Sequence, residues 1–268
     1  MSTEVDTGTE RMLARVEGGI GWMTYNSPAR LNALSMDMQR AVPRILDAFQ
    51  AMPDVRVVVV SGAGGRAFVS GADISEFGEK RTSVEARAEY DRVAAEAGRA
   101  WGRVDKPVIA MIAGYCIGGG LLTALQADLR IAAEGSQFGV PAAKLGLGYG
   151  YGGVEKLMAL VGPAWAAEIL FSARRLADHE ALRIGLVNRV VPVETLEEHV
   201  TDLAAMMAAN APLTIKACKA AIREVLRDPD RRDLATVEAL VEACFRSEDY
   251  REGQQAFLEK RPPQFKGR

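Results

Sequence analysis

Two glycine-rich stretches of this chain could do chemistry with the backbone itself. The first is Gly62-Ala63-Gly64-Gly65-Arg66-Ala67-Phe68-Val69-Ser70-Gly71-Ala72-Asp73-Ile74, and the second is Ala113-Gly114-Tyr115-Cys116-Ile117-Gly118-Gly119-Gly120. Small side chains let a ligand approach the main chain closely. A glycine triplet that opens a helix also presents unpaired N–H groups and a partial positive charge. Two such N–H groups converging on one oxygen would stabilise the enolate or tetrahedral oxygen of a reacting carbonyl compound. One donor of this kind is typically worth ~3–4 kcal/mol in a transition state. Either cluster alone also suits a turn that packs a strand on a helix, and one cluster does not separate the two readings. Few side chains near them could move a proton. Asp73 and Glu76 flank the first cluster, and Tyr149 lies in Leu145-Gly146-Leu147-Gly148-Tyr149-Gly150-Tyr151. Asp73 also suits a turn or helix-cap position, and a tyrosine between glycines also suits a packed loop.

Other chemistries are poorly supplied. Three cysteines (Cys116, Cys218, Cys244) are widely spaced, form no CxxC pattern and read as reduced thiols of a cytoplasmic protein. The two histidines, His179 and His199, lie far from the glycine clusters, so neither a metal site nor a Ser-His triad is expected. His179 reads as a surface helix residue. A net charge of −2 gives no basic field for nucleic acid or an anionic membrane. The polar, acidic start Met1-Ser2-Thr3-Glu4-Val5-Asp6 does not read as a signal peptide. The uncharged run from Val108 to Ala127 matches a membrane span in length, but its glycine triplet favours strand, turn and buried helix.

The elements that must position these clusters can be read from periodicity. Residues 13–25 alternate loosely and stop at Asn26-Ser27-Pro28, which predicts strands and a turn. Met36 to Met52 has apolar residues at helical spacing. Arg56-Val57-Val58-Val59-Val60-Ser61-Gly62 predicts a strand buried on both faces. A helix over 83–104 and a second buried strand over 107–113 follow. Short strands are expected at 129–132 and 136–139. Alternation of helices and short strands indicates an α/β fold. Helices over 196–210, 213–226 and 236–246 predict a helical C-terminal region, so the chain divides into a core of 1–195 and a helical region of 196–268.

Taken together, the motifs resemble the crotonase (enoyl-CoA hydratase/isomerase) family over roughly residues 10–268. Gly-Ala-Asp (71–73) follows an aromatic, and Lys106-Pro107-Val108-Ile109-Ala110-Met111-Ile112-Ala113-Gly114 leads to the glycine triplet ~45 residues later. Asn26-Ser27-Pro28-Ala29-Arg30-Leu31-Asn32-Ala33-Leu34, Gln137-Phe138-Gly139-Val140-Pro141, Ala181-Leu182-Arg183-Ile184-Gly185-Leu186-Val187-Asn188 and the ending 252–263 match as well.

The resemblance implies a spiral of ββα units and a C-terminal helical region that builds a homotrimer, often a hexamer as a dimer of trimers. It implies an acyl-CoA thioester as substrate and no separate cofactor, coenzyme A being part of the substrate. Ala72 and Gly119 fall on the oxyanion-hole positions. Arg30 and Lys260 correspond to positions that meet CoA phosphates, and Phe257 to one that packs against CoA. Ala33, Gly71, Asp73, Ile74, Leu122, Pro141 and Ala142 fall along the acyl-CoA site. In the family's hydratases, Leu122 and Ala142 correspond to glutamates that handle the water and its proton. A dienoyl-isomerase aspartate position holds Gly150. Tyr149 corresponds to a tyrosine of the methylmalonyl-CoA decarboxylases, although those carry a histidine where this chain has Ala72. Hydration needs a positioned base and acid. The expectation is therefore an acyl-CoA enzyme of this family without ordinary hydratase activity. The alternatives are a decarboxylase using Tyr149 and an acyl-CoA-binding protein without turnover.

Overall fold

The computed structural model describes residues 2–73 and 84–268. The positions Ile74 and Glu76 singled out above lie outside them. Two sheets carry the fold. The larger runs β1 (Thr3–Glu4), β2 (Met12–Glu17), β3 (Ile20–Tyr25), β4 (Val57–Gly62), β6 (Val108–Ile112), β8 (Leu129–Ala133), β11 (Arg189–Val191). The smaller runs β10 (Leu176–Ala177), β9 (Gln137–Gly139), β7 (Tyr115–Ile117), β5 (Ala67–Val69). From β3 to β11 every pair in the larger sheet is parallel, as are β5–β7 and β7–β9. The chain thus repeats one step: a strand in the larger sheet, a short strand in the smaller, then a helix. β4 and β5 lead on to α2 (Val84–Gly102), β6 and β7 to α3 (Gly119–Ala124), and β8 and β9 to α4 (Tyr151–Ser172). This is the spiral of ββα units that the family resemblance implies.

β4 shows why its valine run was readable. Val58 and Val60 face the core between the sheets, with α1 (Met36–Ala51) contributing Ile45, Leu46 and Phe49. Val57 and Val59 face the opposite side, onto Leu196, Val200 and Ala204 of α6 (Leu196–Ala208). All four valines are buried. α6 opens the helical region expected over 196–268 and packs on the sheet. The uncharged run 108–127 is divided among β6, β7 and α3. No described helix is long and apolar enough to cross a membrane.

Two helices escaped the periodicity. α4 has apolar residues on all sides and contains Gly162 at φ +73° followed by Pro163, which kinks it. Its pattern therefore has no single apolar stripe. α9 (Glu248–Glu259) is largely polar and begins where Ser247 Oγ accepts the Tyr250 N–H at 3.0 Å. His179 lies exposed on α5 (Asp178–Arg183), as expected. α7 (Pro212–Val225) is tied to the core by Lys219, whose Nζ donates to Asp128 Oδ2 and to the Lys106 carbonyl, both at 2.7 Å. Arg223 donates to the carbonyls of Trp101, Gly102 and Val104 at the end of α2. The last residues fold back, with Arg56 donating to the Phe265 carbonyl at 2.9 Å and Asp249 accepting the Lys266 and Gly267 amides.

Candidate active site

The two glycine clusters meet at the ends of β5 and β7. Past β5, Leu34 N donates to the Gly71 carbonyl at 2.8 Å, and Asp73 N donates to the Leu34 carbonyl at 2.9 Å. This is a one-residue parallel bridge between Leu34 and Ala72. In such a bridge the residue opposite aims its own N–H away from the partner. Past β7, Gly118 takes φ +56° and donates its N–H to the Gly139 carbonyl at 2.8 Å. Gly119 then opens α3. Among the described residues neither the Ala72 N–H nor the Gly119 N–H donates to an acceptor of this chain. The two are neighbours: a methyl at Gly119 would lie 3.8 Å from Ala72 N and 3.1 Å from Leu34 Cδ1.

Close packing brings them together. A methyl at Gly120 would lie 2.0 Å from the Val69 carbonyl oxygen, so α3 sits against β5 only because residue 120 has no side chain. A methyl at Gly114 would lie 2.1 Å from the Arg66 carbonyl oxygen. The glycines thus allow the close packing, and beside it the Ala72 and Gly119 N–H groups are left without an acceptor among the described residues.

The other residues expected to line the site are mostly apolar. Leu122 lies one turn into α3 and is partly buried. Pro141 and Ala142 follow β9, with Pro141 Cδ 3.7 Å from where a Gly118 methyl would be. Ala142 packs against the main core, as do Leu34 and Tyr149. The Tyr149 ring lies against Gly153 of α4, where a methyl would come within 2.7 Å of its Cε1. The Tyr149 hydroxyl is sealed from solvent and has no hydrogen-bond partner among the described residues. Burial, with the nearby Cys116 thiol adding to it, pushes the phenol up to about 12, so it stays protonated at neutral pH.

Asp73 is 7% exposed and accepts from Arg30 Nη1 at 2.9 Å; the Arg30 side chain is 55% exposed. The expected CoA-facing cation thus pairs with the expected turn residue. Ala33, between Arg30 and the Leu34 bridge, donates its N–H to the Arg30 carbonyl at 3.1 Å. Phe257 and Lys260 are not gathered with these residues. Phe257 is 84% exposed on α9 and lines an apolar groove of about 700 Å³ with Leu213, Val241, Phe245, Tyr250 and Phe265. Lys260 caps α9 at φ +54°, and its ammonium makes no hydrogen bond or ion pair among the described residues.

A model of the enoyl-CoA hydratase/isomerase family matches residues 15–268. This chain belongs to that family. The short-chain-enoyl-CoA hydratase of Clostridium acetobutylicum is 36% identical over 245 residues, covering 91% of this chain and 93% of that protein. The crotonyl-CoA hydratase of Syntrophomonas wolfei is 34% identical over 256 residues, covering 96% and 98%. The crystal structure of an enoyl-CoA hydratase/carnithine racemase from Magnetospirillum magneticum superposes with a TM-score of 0.90 at 36% identity, covering 99% of this family member and 97% of that chain. The fold and its family are therefore those the motifs pointed to. Nothing in the sequence signals the roles of Asn32 and the Leu34 backbone, because their contribution is a hydrogen-bond pattern that spacing does not reveal.

Proposed function

We propose that this family member binds an acyl-CoA thioester with its carbonyl oxygen between the Ala72 and Gly119 N–H groups, and stabilises the enolate formed there. The observation that carries this reading is the pair of neighbouring N–H groups without an acceptor among the described residues. Arg30 and Lys260 supply positive charge for the CoA phosphates, and Phe257 an apolar surface for CoA. Ala33, Gly71, Asp73, Leu122, Pro141 and Ala142 border the acyl-CoA.

Ordinary hydration is not the reaction we assign. Leu122 and Ala142 cannot transfer a proton, and one positioned acid or base contributes typically 10²–10⁴-fold. A reaction that needs no pair of carboxylates fits better: decarboxylation of a β-carboxyacyl-CoA such as methylmalonyl-CoA. The bond between the α-carbon and the carboxylate breaks, CO2 leaves, and the electron pair passes to the thioester enolate. A proton then adds to the α-carbon. An apolar wall favours loss of the carboxylate charge, and the two N–H groups receive the charge that develops on oxygen. The sealed, protonated Tyr149 hydroxyl is the polar group that supports this choice. The exposed apolar groove between α7, α8 (Leu234–Arg246) and α9 supports assembly as a trimer or hexamer.

Mass spectrometry of crotonyl-CoA and methylmalonyl-CoA incubated with the purified protein tests the assignment. Loss of 44 mass units from methylmalonyl-CoA, with little hydration of crotonyl-CoA, is expected. Hydration at rates usual for the family would refute it. Binding of both thioesters without turnover would instead select the non-catalytic reading.

A further inference from the structure

The turn that carries Leu34 is held by one fully buried side chain. Asn32 is 0% exposed and sits in the left-handed region at φ +54°, directly after Leu31 at φ +51°. Asparagine tolerates this conformation better than most residues. Its carboxamide turns every strong contact inward. Oδ1 accepts the Ser27 N–H at 2.8 Å, while Nδ2 donates to the Ala63 carbonyl at 2.9 Å and to the Ala67 carbonyl at 2.8 Å. Two carbonyls facing the nitrogen and one N–H facing the oxygen fix which end of the amide is which.

Those partners bracket the loop from β4 to β5, whose continuation is Ser70-Gly71-Ala72-Asp73. The segment after Arg30 is bonded to that same continuation. Ser70 N donates to the Leu31 carbonyl at 3.1 Å, and Leu34 holds Gly71 and Asp73 on either side of Ala72. Asn32 therefore clamps two pieces of chain together at one end, and Leu34 reads out the result at the other. The orientation of the Ala72 N–H depends on that register, because a donor must meet the developing oxyanion at about 2.7–3.1 Å to be effective.

We propose that Asn32 is a positioning residue for the Ala72 amide: its carboxamide sets the register of residues 31–34 against 70–73 and so aims the Ala72 N–H at the thioester oxygen. This rests on the oxyanion reading given above. It concerns a residue that acts through the backbone bonds of Leu31 and Leu34 rather than on the substrate.

The probe is acetoacetyl-CoA, whose enolate absorbs in the near ultraviolet. A working pair of donors lowers the pH at which the bound ligand enolises. Free CoA, which has no acyl carbonyl, serves as the control for binding elsewhere. Asn32→Gly keeps the left-handed backbone without strain and deletes all three side-chain bonds. Asn32→Asp keeps the shape and the Ser27 contact but loses both donors. Each variant should weaken enolate stabilisation at least ~10-fold, seen as a rise of about one unit in the enolisation midpoint. Affinity for free CoA should stay within about twofold, a smaller change than misplacing one donor causes. Gly119→Ala tests the oxyanion reading separately, since its methyl would stand beside Ala72 N. Wild-type enolisation in Gly119→Ala overturns that reading. Loss in Gly119→Ala with wild-type behaviour in a folded Asn32→Gly or Asn32→Asp overturns the positioning role alone. Failure of both Asn32 variants to fold also overturns it, because Asn32 would then serve only the fold.

Discussion

Tyr149→Phe should make this protein more stable and less active at once. The ring rests on Gly153 and packs against the main core, and phenylalanine keeps both contacts. What is removed is a hydroxyl sealed from solvent with no hydrogen-bond partner among the described residues. An unsatisfied buried polar group costs about 1–3 kcal/mol, and a neutral hydroxyl belongs near the low end. A gain of ~1 kcal/mol corresponds to a rise of ~2–4 °C in Tm for a domain of this size. The gain should grow in alkali. The phenol ionises near 10 when unfolded and near about 12 when folded, so the unfolded chain loses this proton first. The folded pKa is raised, so the stability is fully present below pH ~10 and is lost as pH rises from there toward ~12. At pH ~10.5 the wild type should lose about 0.8 kcal/mol that the variant keeps. Differential scanning calorimetry of both proteins at equal protomer concentration, at neutral pH and near pH 10.5, measures this. Turnover of methylmalonyl-CoA should fall in the same variant. Lower stability at neutral pH would show that the hydroxyl has a partner and refute the argument. Higher stability with unchanged turnover would place Tyr149 outside the chemistry.

The two neighbouring glycines of α3 should separate fold from function. Gly120→Ala meets backbone at Val69 and should cost at least ~3 kcal/mol, read by urea unfolding or loss of soluble protein. Gly119→Ala meets only the end of Leu34 and the space beside Ala72 N, so it should fold with nearly unchanged stability and lose turnover. Leu122→Glu combined with Ala142→Glu should raise crotonyl-CoA hydration at least ~10²-fold over wild type in a spectrophotometric assay; no gain would show that these positions do not face the reacting carbons. Calorimetric titration with acetyl-CoA should show weaker binding in Arg30→Ala and Lys260→Ala, and unchanged affinity in the double variant would end the phosphate assignment. Light scattering at micromolar protomer should report a trimer or hexamer, and a monomer would refute the assembly.

Local pattern alone was enough for the elements whose partners are implied by periodicity. The valine run of β4 has to lie between two layers, because water cannot reach either face of an unbroken β-branched strand. The stripe on α1 needs only one buried side, and Ser35 caps it by accepting the Met38 N–H. Motif order carried the family and the ββα spiral. The identities of Leu122 and Ala142 are also sequence facts, and they already argue against an ordinary acid/base pair. α4 and α9 were missed because one is apolar all round and the other is mostly polar, so neither writes a helical stripe. Tertiary structure alone decided the rest. It placed Gly119 beside Ala72 across ~45 residues of chain, paired Arg30 with Asp73 and laid α6 on the sheet. It also sealed the Tyr149 hydroxyl without a partner and spent the Asn32 carboxamide on Ser27, Ala63 and Ala67. The physical reason is that periodicity records which side of an element is buried. An N–H direction, a hydroxyl's missing partner or an ion pair depends on the register between segments distant in sequence, and that register exists only once the sheets and helices have packed.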